Sequence, residues 1–251
     1  MLHRRWLILV VIGLLVLVPC SLMMLSCTSS DDDDDNNDDD STGTIIPLNV
    51  GAILVYKVTV QGQGDYTETL TVNGPTTKNG VNCFKTTSVS TDMPQVNSFT
   101  QVSYYVIDND NIKNYFSEVT IVYPNNITGL IENEWDPYVL MYPSKAALAT
   151  TSTWHDTGNL YQDIYQNGQQ VGELTYTYTS DITYLGREQK TITLGTYDCH
   201  KFQRHMVVTT SGVTVDTLAT LYVHEDTGLI YGSIVESGIT ETRELTSVTG
   251  P

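Results

Sequence analysis

Residues 45 to 251 alternate, almost without a break, between Thr or charged residues and Val, Ile, Leu or Tyr. A period of two over such a length leaves little choice but a sheet. Leu174, Tyr176, Tyr178, Ile182 and Tyr184 share one strand face, and Thr175, Thr177, Thr179, Asp181 and Thr183 share the other, as a half-buried antiparallel strand requires. Ala52, Leu54, Tyr56, Val58 and Val60 repeat the pattern. Turn chemistry punctuates it at Asn73-Gly74-Pro75, Asn79-Gly80, Asp108 to Asn111, Asn167-Gly168, Ser211-Gly212 and Asp226-Thr227-Gly228. Only Ser144 to Thr150 reads as a short helix. The expected class is all-β, an antiparallel meander forming a curved sheet, half-barrel or barrel, with very little helix.

The first 44 residues obey different rules. Arg4 and Arg5 precede an apolar stretch from Leu7 to Val18, and Leu25-Ser26-Cys27 then reads as a lipobox, so residues 1–27 are expected to be a lipoprotein signal peptide. Cys20 competes for the lipid, but Pro19 beside it lacks the N–H that an extended peptidase substrate offers, which favours Cys27. An uncleaved signal anchor is the alternative, since Leu7 to Leu25 nearly matches a bilayer span. On either reading the chain stays attached to a membrane, with its mature domain outside the cytoplasm. Residues 28–44 contain eight aspartates and no apolar surface to offset the entropy of ordering, which predicts a solvated, self-repelling disordered linker.

Charge narrows the partners. The formal net charge is −17, and setting aside the eight tether aspartates and two leader arginines leaves 21 acids against 10 bases, a net −11. Such a domain repels phosphate, which excludes nucleic acid and leaves membrane attachment to the N-terminal lipid. Cys83 and Cys199 are the thiols left after the leader, too few for a disulfide scaffold; pairing and burial as free thiols both stay open.

Comparing the two halves suggests an internal duplication, a first β repeat over 45–142 and a second over 143–251, which could also form one continuous domain. Pro47, with Gly51 and Tyr56 after it, matches Pro143 before Trp154, and Leu70 to Gly74 matches Ile182 to Gly186. Gly80 to Lys85 matches Thr196 to Lys201, and Tyr105-Val106 matches Tyr222-Val223.

The run Gly195-Thr196-Tyr197-Asp198-Cys199-His200-Lys201, with the later hairpin around Asp226-Thr227-Gly228, resembles a strand motif of uncharacterised bacterial envelope lipoproteins. The resemblance extends loosely over 45–251. It implies a curved β-sheet, distantly like the LolA-type lipoprotein carriers, with an apolar ligand held in the concave face. The chain departs from those carriers in lacking lid helices. The motif itself marks a turn and implies no catalytic part and no cofactor.

Several constellations imitate chemistry. Asp156-Thr157-Gly158 and Asp226-Thr227-Gly228 suggest the paired loops of aspartic proteases, yet both lie in the second half at non-equivalent positions, so they read as hairpin turns. Glu132, Glu134 and Asp136 flank Trp135 in an expected loop, the one arrangement that suggests a glycan hydrolase. His200 and His205, five apart on a strand, point to opposite faces and cannot be local metal ligands. Asp108 and Asp110 open like a calcium loop, but Lys113 stands at the glycine position and Val119 at the bidentate-acid position. No Gly-x-Ser-x-Gly elbow, His-Glu-x-x-His, phosphate loop or dinucleotide fingerprint occurs. The expectation is a lipid-anchored envelope protein with a binding or structural role rather than an enzymatic one. Trp135, Trp154, Tyr176, Tyr178 and Tyr184 are the expected contacts for a lipid or glycan. A lipophilic carrier and a glycan hydrolase are the alternatives.

Overall fold

The computed structural model describes residues 43–250. The expected lipidation at Cys27 or Cys20 and the aspartate run lie outside the described residues.

Twelve antiparallel strands form one closed barrel in which every strand pairs with its neighbours in sequence and β1 closes against β12. The strands are β1 (Ile53–Val60), β2 (Gly64–Lys78), β3 (Val81–Thr91), β4 (Ser98–Asp108), β5 (Asn111–Val122) and β6 (Thr128–Tyr142), followed by β7 (Thr153–Gln166), β8 (Gln169–Ile192), β9 (Gly195–Thr210), β10 (Val213–His224), β11 (Gly228–Glu236) and β12 (Ile239–Thr249). Between β6 and β7 lies the one helix among the described residues, α1 (Lys145–Thr150). Its N-cap is Ser144, whose Oγ accepts from the Ala147 amide at 3.2 Å.

Period two sorts the side chains as expected. Leu54, Tyr56, Val58 and Val60 of β1 are buried in the barrel, as are Tyr176, Tyr178, Ser180 and Ile182 of β8. The outward positions are Thr67, Thr69 and Thr71 on β2, Lys201, Gln203 and His205 on β9, and Thr240, Thr242 and Glu244 on β12. A barrel embedded in lipid needs an apolar outer band. These outward positions are hydroxyl-bearing or charged, and the same wall also exposes Ile53, Val89, Leu218 and Val235.

The two barrel ends differ. At the proximal end, where the described chain begins, Ile45 and Ile46 are fully buried and Thr44 bridges Ser144. The Lys145 amide donates to the Gly43 carbonyl at 3.1 Å, so the entering chain and the β6–β7 connection lie together over this end. Tight hairpins with the positive φ of type I′ turns occur at both ends, Asn79-Gly80 and Asn109-Asp110 at the proximal one and Asn167-Gly168 and Ser237-Gly238 at the distal one.

Two expected turns proved to be strand. Asn73-Gly74-Pro75 lies inside β2, where Gly74 (φ 104°) sits at a register shift against β3. A bulge and a turn both call for glycine at positive φ, so the sequence signatures coincide. Asp156-Thr157-Gly158 lies within β7, where close approach rather than turning requires the glycine: a Cβ on Gly158 would meet the Asp136 carbonyl oxygen at 2.5 Å and Pro137 Cδ at 2.6 Å. The segments matched between halves fall on strands six apart, namely β1 with β7, β2 with β8, β3 with β9 and β4 with β10.

Candidate functional site

The expected ligand contacts do not line an open face. The sheet closes on itself, and Trp135, Tyr176 and Tyr178 are buried inside it. The Trp135 and Tyr178 rings meet edge to face at 5.0 Å, Tyr178 donates to the Pro137 carbonyl at 2.7 Å, and Tyr176 donates to Gln162 Oε1 at 3.3 Å. Trp154 and Tyr184 are half-buried against the same core. Glu132, Glu134 and Asp136 occupy β6 rather than a loop, on the outward side, while Trp135 points inward. The indole and the carboxylates are therefore on opposite faces of one strand and cannot jointly hold a sugar. A shallow groove of about 350 Å³ on the outer wall, lined by Val55, Lys57, Asp65 and Thr246 among others, contains none of these residues.

The protease-like aspartates are equally separate. Asp156 Oδ2 accepts from the Leu140 amide at 2.8 Å on β7, whereas Asp226 lies in the β10–β11 turn. The histidines have different partners: His155 lies 2.6 Å from Asp181, His205 lies 2.9 Å from Asp216, and His224 lies 3.2 Å from Thr227. Cys83 and Cys199 are buried free thiols on β3 and β9, and burial pushes the Cys199 thiol up to about 11.

One cluster does draw ionisable groups together, at the proximal end. Glu225, just after β10, accepts from His200 Nε2 of β9 at 2.7 Å and from Arg187 Nη1 of β8 at 2.8 Å. Its other oxygen lies 2.9 Å from Lys145 Nζ of α1. Arg187 Nε donates to Asp198 at 2.9 Å, and the Tyr184 hydroxyl lies 3.0 Å from His200 Nδ1. Because a carboxylate only accepts, Nε2 carries the imidazole proton and Nδ1 accepts from Tyr184. Burial lowers the His200 pKa against the opposing pull of Glu225, so the ring is neutral at neutral pH. Burial would raise Glu225, but the His200 hydrogen bond and the Lys145 and Arg187 contacts outweigh it and hold the carboxyl at about 2.

Hydroxyl, imidazole and carboxylate thus stand in the order of a nucleophilic relay. The chemistry does not follow the order, because burial raises the Tyr184 phenol and the carboxylate is already taken up by three donors. A relay so saturated acts as a brace between α1 and the ends of β8, β9 and β10. Sequence reasoning passed over Glu225, Arg187 and Lys145. The available signal was departure from the matched half, where Val72 stands for Tyr184, Pro75 for Arg187 and Phe84 for His200.

The outer wall holds two Lys-over-aromatic clusters. Tyr104 and Phe116 meet at 6.0 Å and 63°, and Tyr222 and Tyr231 at 6.1 Å and 68°. Lys78 Nζ lies 4.4 Å from the Phe116 ring centre, and Lys190 Nζ lies 3.6 Å from that of Tyr231. Tyr104 donates to Glu118 at 3.1 Å, and Tyr222 donates to Glu188 at 3.3 Å.

No protein-family model and no curated protein matches the chain. Among solved structures it is similar to a protein of Parabacteroides distasonis ATCC 8503 provisionally named a lipoprotein, with TM-score 0.50 and 15% identity over 83% of this chain and 99% of that one. It is also similar to a protein of Bacteroides fragilis NCTC 9343, provisionally named an exported protein with a YmcC-like fold, with TM-score 0.48 and 12% identity over 83% and 100% of the two chains. At 15% identity the likeness to the Parabacteroides protein is one of fold.

Proposed function

We propose that this chain is a lipid-anchored envelope protein whose barrel has a non-enzymatic binding or structural role, and that the barrel is two copies of a six-stranded unit. The observation that carries the role is a closed barrel whose interior is occupied by its own side chains, with Ile45 and Ile46 packed into the proximal end. The aromatic residues that would line a carrier's open face are spent on this packing. The anchor rests on the leader and on Cys27. The Parabacteroides structure bears a lipoprotein name, which agrees with the anchor without extending it to this chain. The duplication rests on the four matched segments.

On this reading the linker joins the barrel at its proximal end, beside Lys145, and the distal end is the one farther along the chain from the anchor. That distal end bears Asp65, Asp92, Asp163, Glu173 and Asp216, an anionic face that anionic head groups repel.

Metabolic labelling with an alkyne fatty acid in the native host tests the anchor. The wild type is expected to incorporate label, Cys27→Ser to lose it, and Cys20→Ser to keep it. Loss in Cys20→Ser alone would move the lipid to that residue. Native mass spectrometry of the full chain in detergent tests the role. A retained mass of lipid or glycan size would favour a ligand-carrying barrel, and a bare mass would favour a structural or interaction role.

A further inference from the structure

The β8–β9 hairpin outruns the barrel wall it belongs to. β7 leaves β8 at the Thr153↔Thr183 pair, and β10 leaves β9 at the Val223↔His200 pair. Beyond those rungs β8 and β9 pair with each other alone, from Arg187↔His200 to Ile192↔Gly195, so among the described residues no strand covers either edge of this ribbon. An extra residue on β8 between Tyr184 and Arg187, with Gly186 at φ 93°, makes a bulge that bends the ribbon away from the line of the wall. Glu225 holds its root through Arg187 and His200.

The bent ribbon lies across the outside of β10, β11 and β12. Its underside shows in the burial pattern: Ile192 and Cys199 are buried, whereas Gln189, Thr191, Thr196 and Asp198 are exposed. Lys190 Nζ stands 3.6 Å from the Tyr231 ring centre and 4.7 Å from that of Tyr222. Tyr222 donates to Glu188 at 3.3 Å, and the Tyr197 and His224 rings meet edge to face at 5.4 Å. At the tip the Thr193 amide and hydroxyl both donate to Oε1 of Glu244 on β12, at 2.8 and 2.6 Å. Each of these contacts ends on a side chain of the wall, so the ribbon can part from it without breaking a rung of the barrel. We propose that residues 188–199 are a strap that lifts from the outer wall as a unit, uncovering Tyr222, Tyr231 and the Cys199 thiol while the barrel stays closed. Glu244 is its clasp. Once lifted, the strap leaves two aromatic rings between the Lys201 ammonium and the Glu244 carboxylate, a surface that the fastened form hides. The strap rests on neither the anchor nor any ligand.

Cys199 reports the motion, because its thiol is fully buried on the underside of the ribbon. Alkylation of the full chain in detergent with iodoacetamide, read by peptide mass spectrometry at increasing urea, follows it directly. Lifting exposes far less surface than unfolding does, so Cys199 modification should rise with urea roughly a third as steeply as global unfolding followed by circular dichroism. Glu244→Ala removes the acceptor of two hydrogen bonds and should speed Cys199 modification roughly tenfold, while Cys83 on β3 keeps its wild-type rate. A urea slope equal to that of global unfolding overturns the strap, as does a Cys199 rate unmoved in a folded Glu244→Ala. Should that variant fail to fold, the wild-type slope decides alone.

Discussion

Gly158 offers the sharpest test of how the barrel wall is packed. It lies in mid-strand on β7, where an Ala would ordinarily save about 0.5–1 kcal/mol of backbone entropy. Here the added methyl would stand 2.5 Å from the Asp136 carbonyl oxygen, 2.6 Å from Pro137 Cδ and 2.9 Å from Tyr178 Cε1. None of these can yield cheaply, because Tyr178 is tied to the Pro137 carbonyl and packed on Trp135. Relief requires the whole Trp135–Pro137 segment to move, an overpacking cost of about 2–3 kcal/mol, which leaves a net loss of about 2 kcal/mol. For a domain of this size that is a fall in Tm of about 4–8 °C. Gly172→Ala on β8 is the matched control, since its Cβ would meet Ile164 Cδ1 at an ordinary 3.8 Å. Differential scanning calorimetry of both variants decides the point. If Gly158→Ala melts within a degree of Gly172→Ala, the tight contact between β6 and β7 is wrong.

Glu225→Gln should cost about 1–2 kcal/mol at pH 7, since three donors lose their anion at a side chain one-fifth exposed. Its folded carboxyl is depressed to about 2, so the stability it contributes is full above about 4.5 and is lost as pH falls toward 2. Urea midpoints at pH 7 and pH 3 should therefore converge between wild type and variant, and a constant gap would contradict the brace. Arg243→Met leaves Glu68 and Glu241 buried without their cation and should destabilise by about 3–5 kcal/mol. Adding Glu68→Gln and Glu241→Gln should recover most of that loss in the same urea assay, and failure to recover would mean that Arg243 acts through packing instead.

The strands were legible because burial on one face imposes period two. Tyr56, Tyr176 and Tyr178 point inward, and Thr175, Thr177 and Thr179 outward, as the pattern required. Closure was not legible, because an open half-barrel and a closed barrel bury the same alternating faces. They differ in whether β1 finds β12, a pairing between opposite ends of the domain that no local pattern encodes. Around Trp135 the sequence misled for a related reason. Three acids beside an indole resemble a loop in composition, but at period two they are simply the wet side of a strand whose dry side is Trp135. The candidate site was hidden in another way. Tyr184, His200 and Glu225 come from β8, β9 and the turn after β10, and nothing local joins them. What sets them apart is comparison with the other half. Packing alone is satisfied there by Val72 and Phe84, so the same fold positions do not demand a phenol and an imidazole. The second half differs from the first at the end where the chain enters and where Lys145 reaches Glu225. The brace ties α1 to β8, β9 and β10 at the end where α1 and the entering chain lie together.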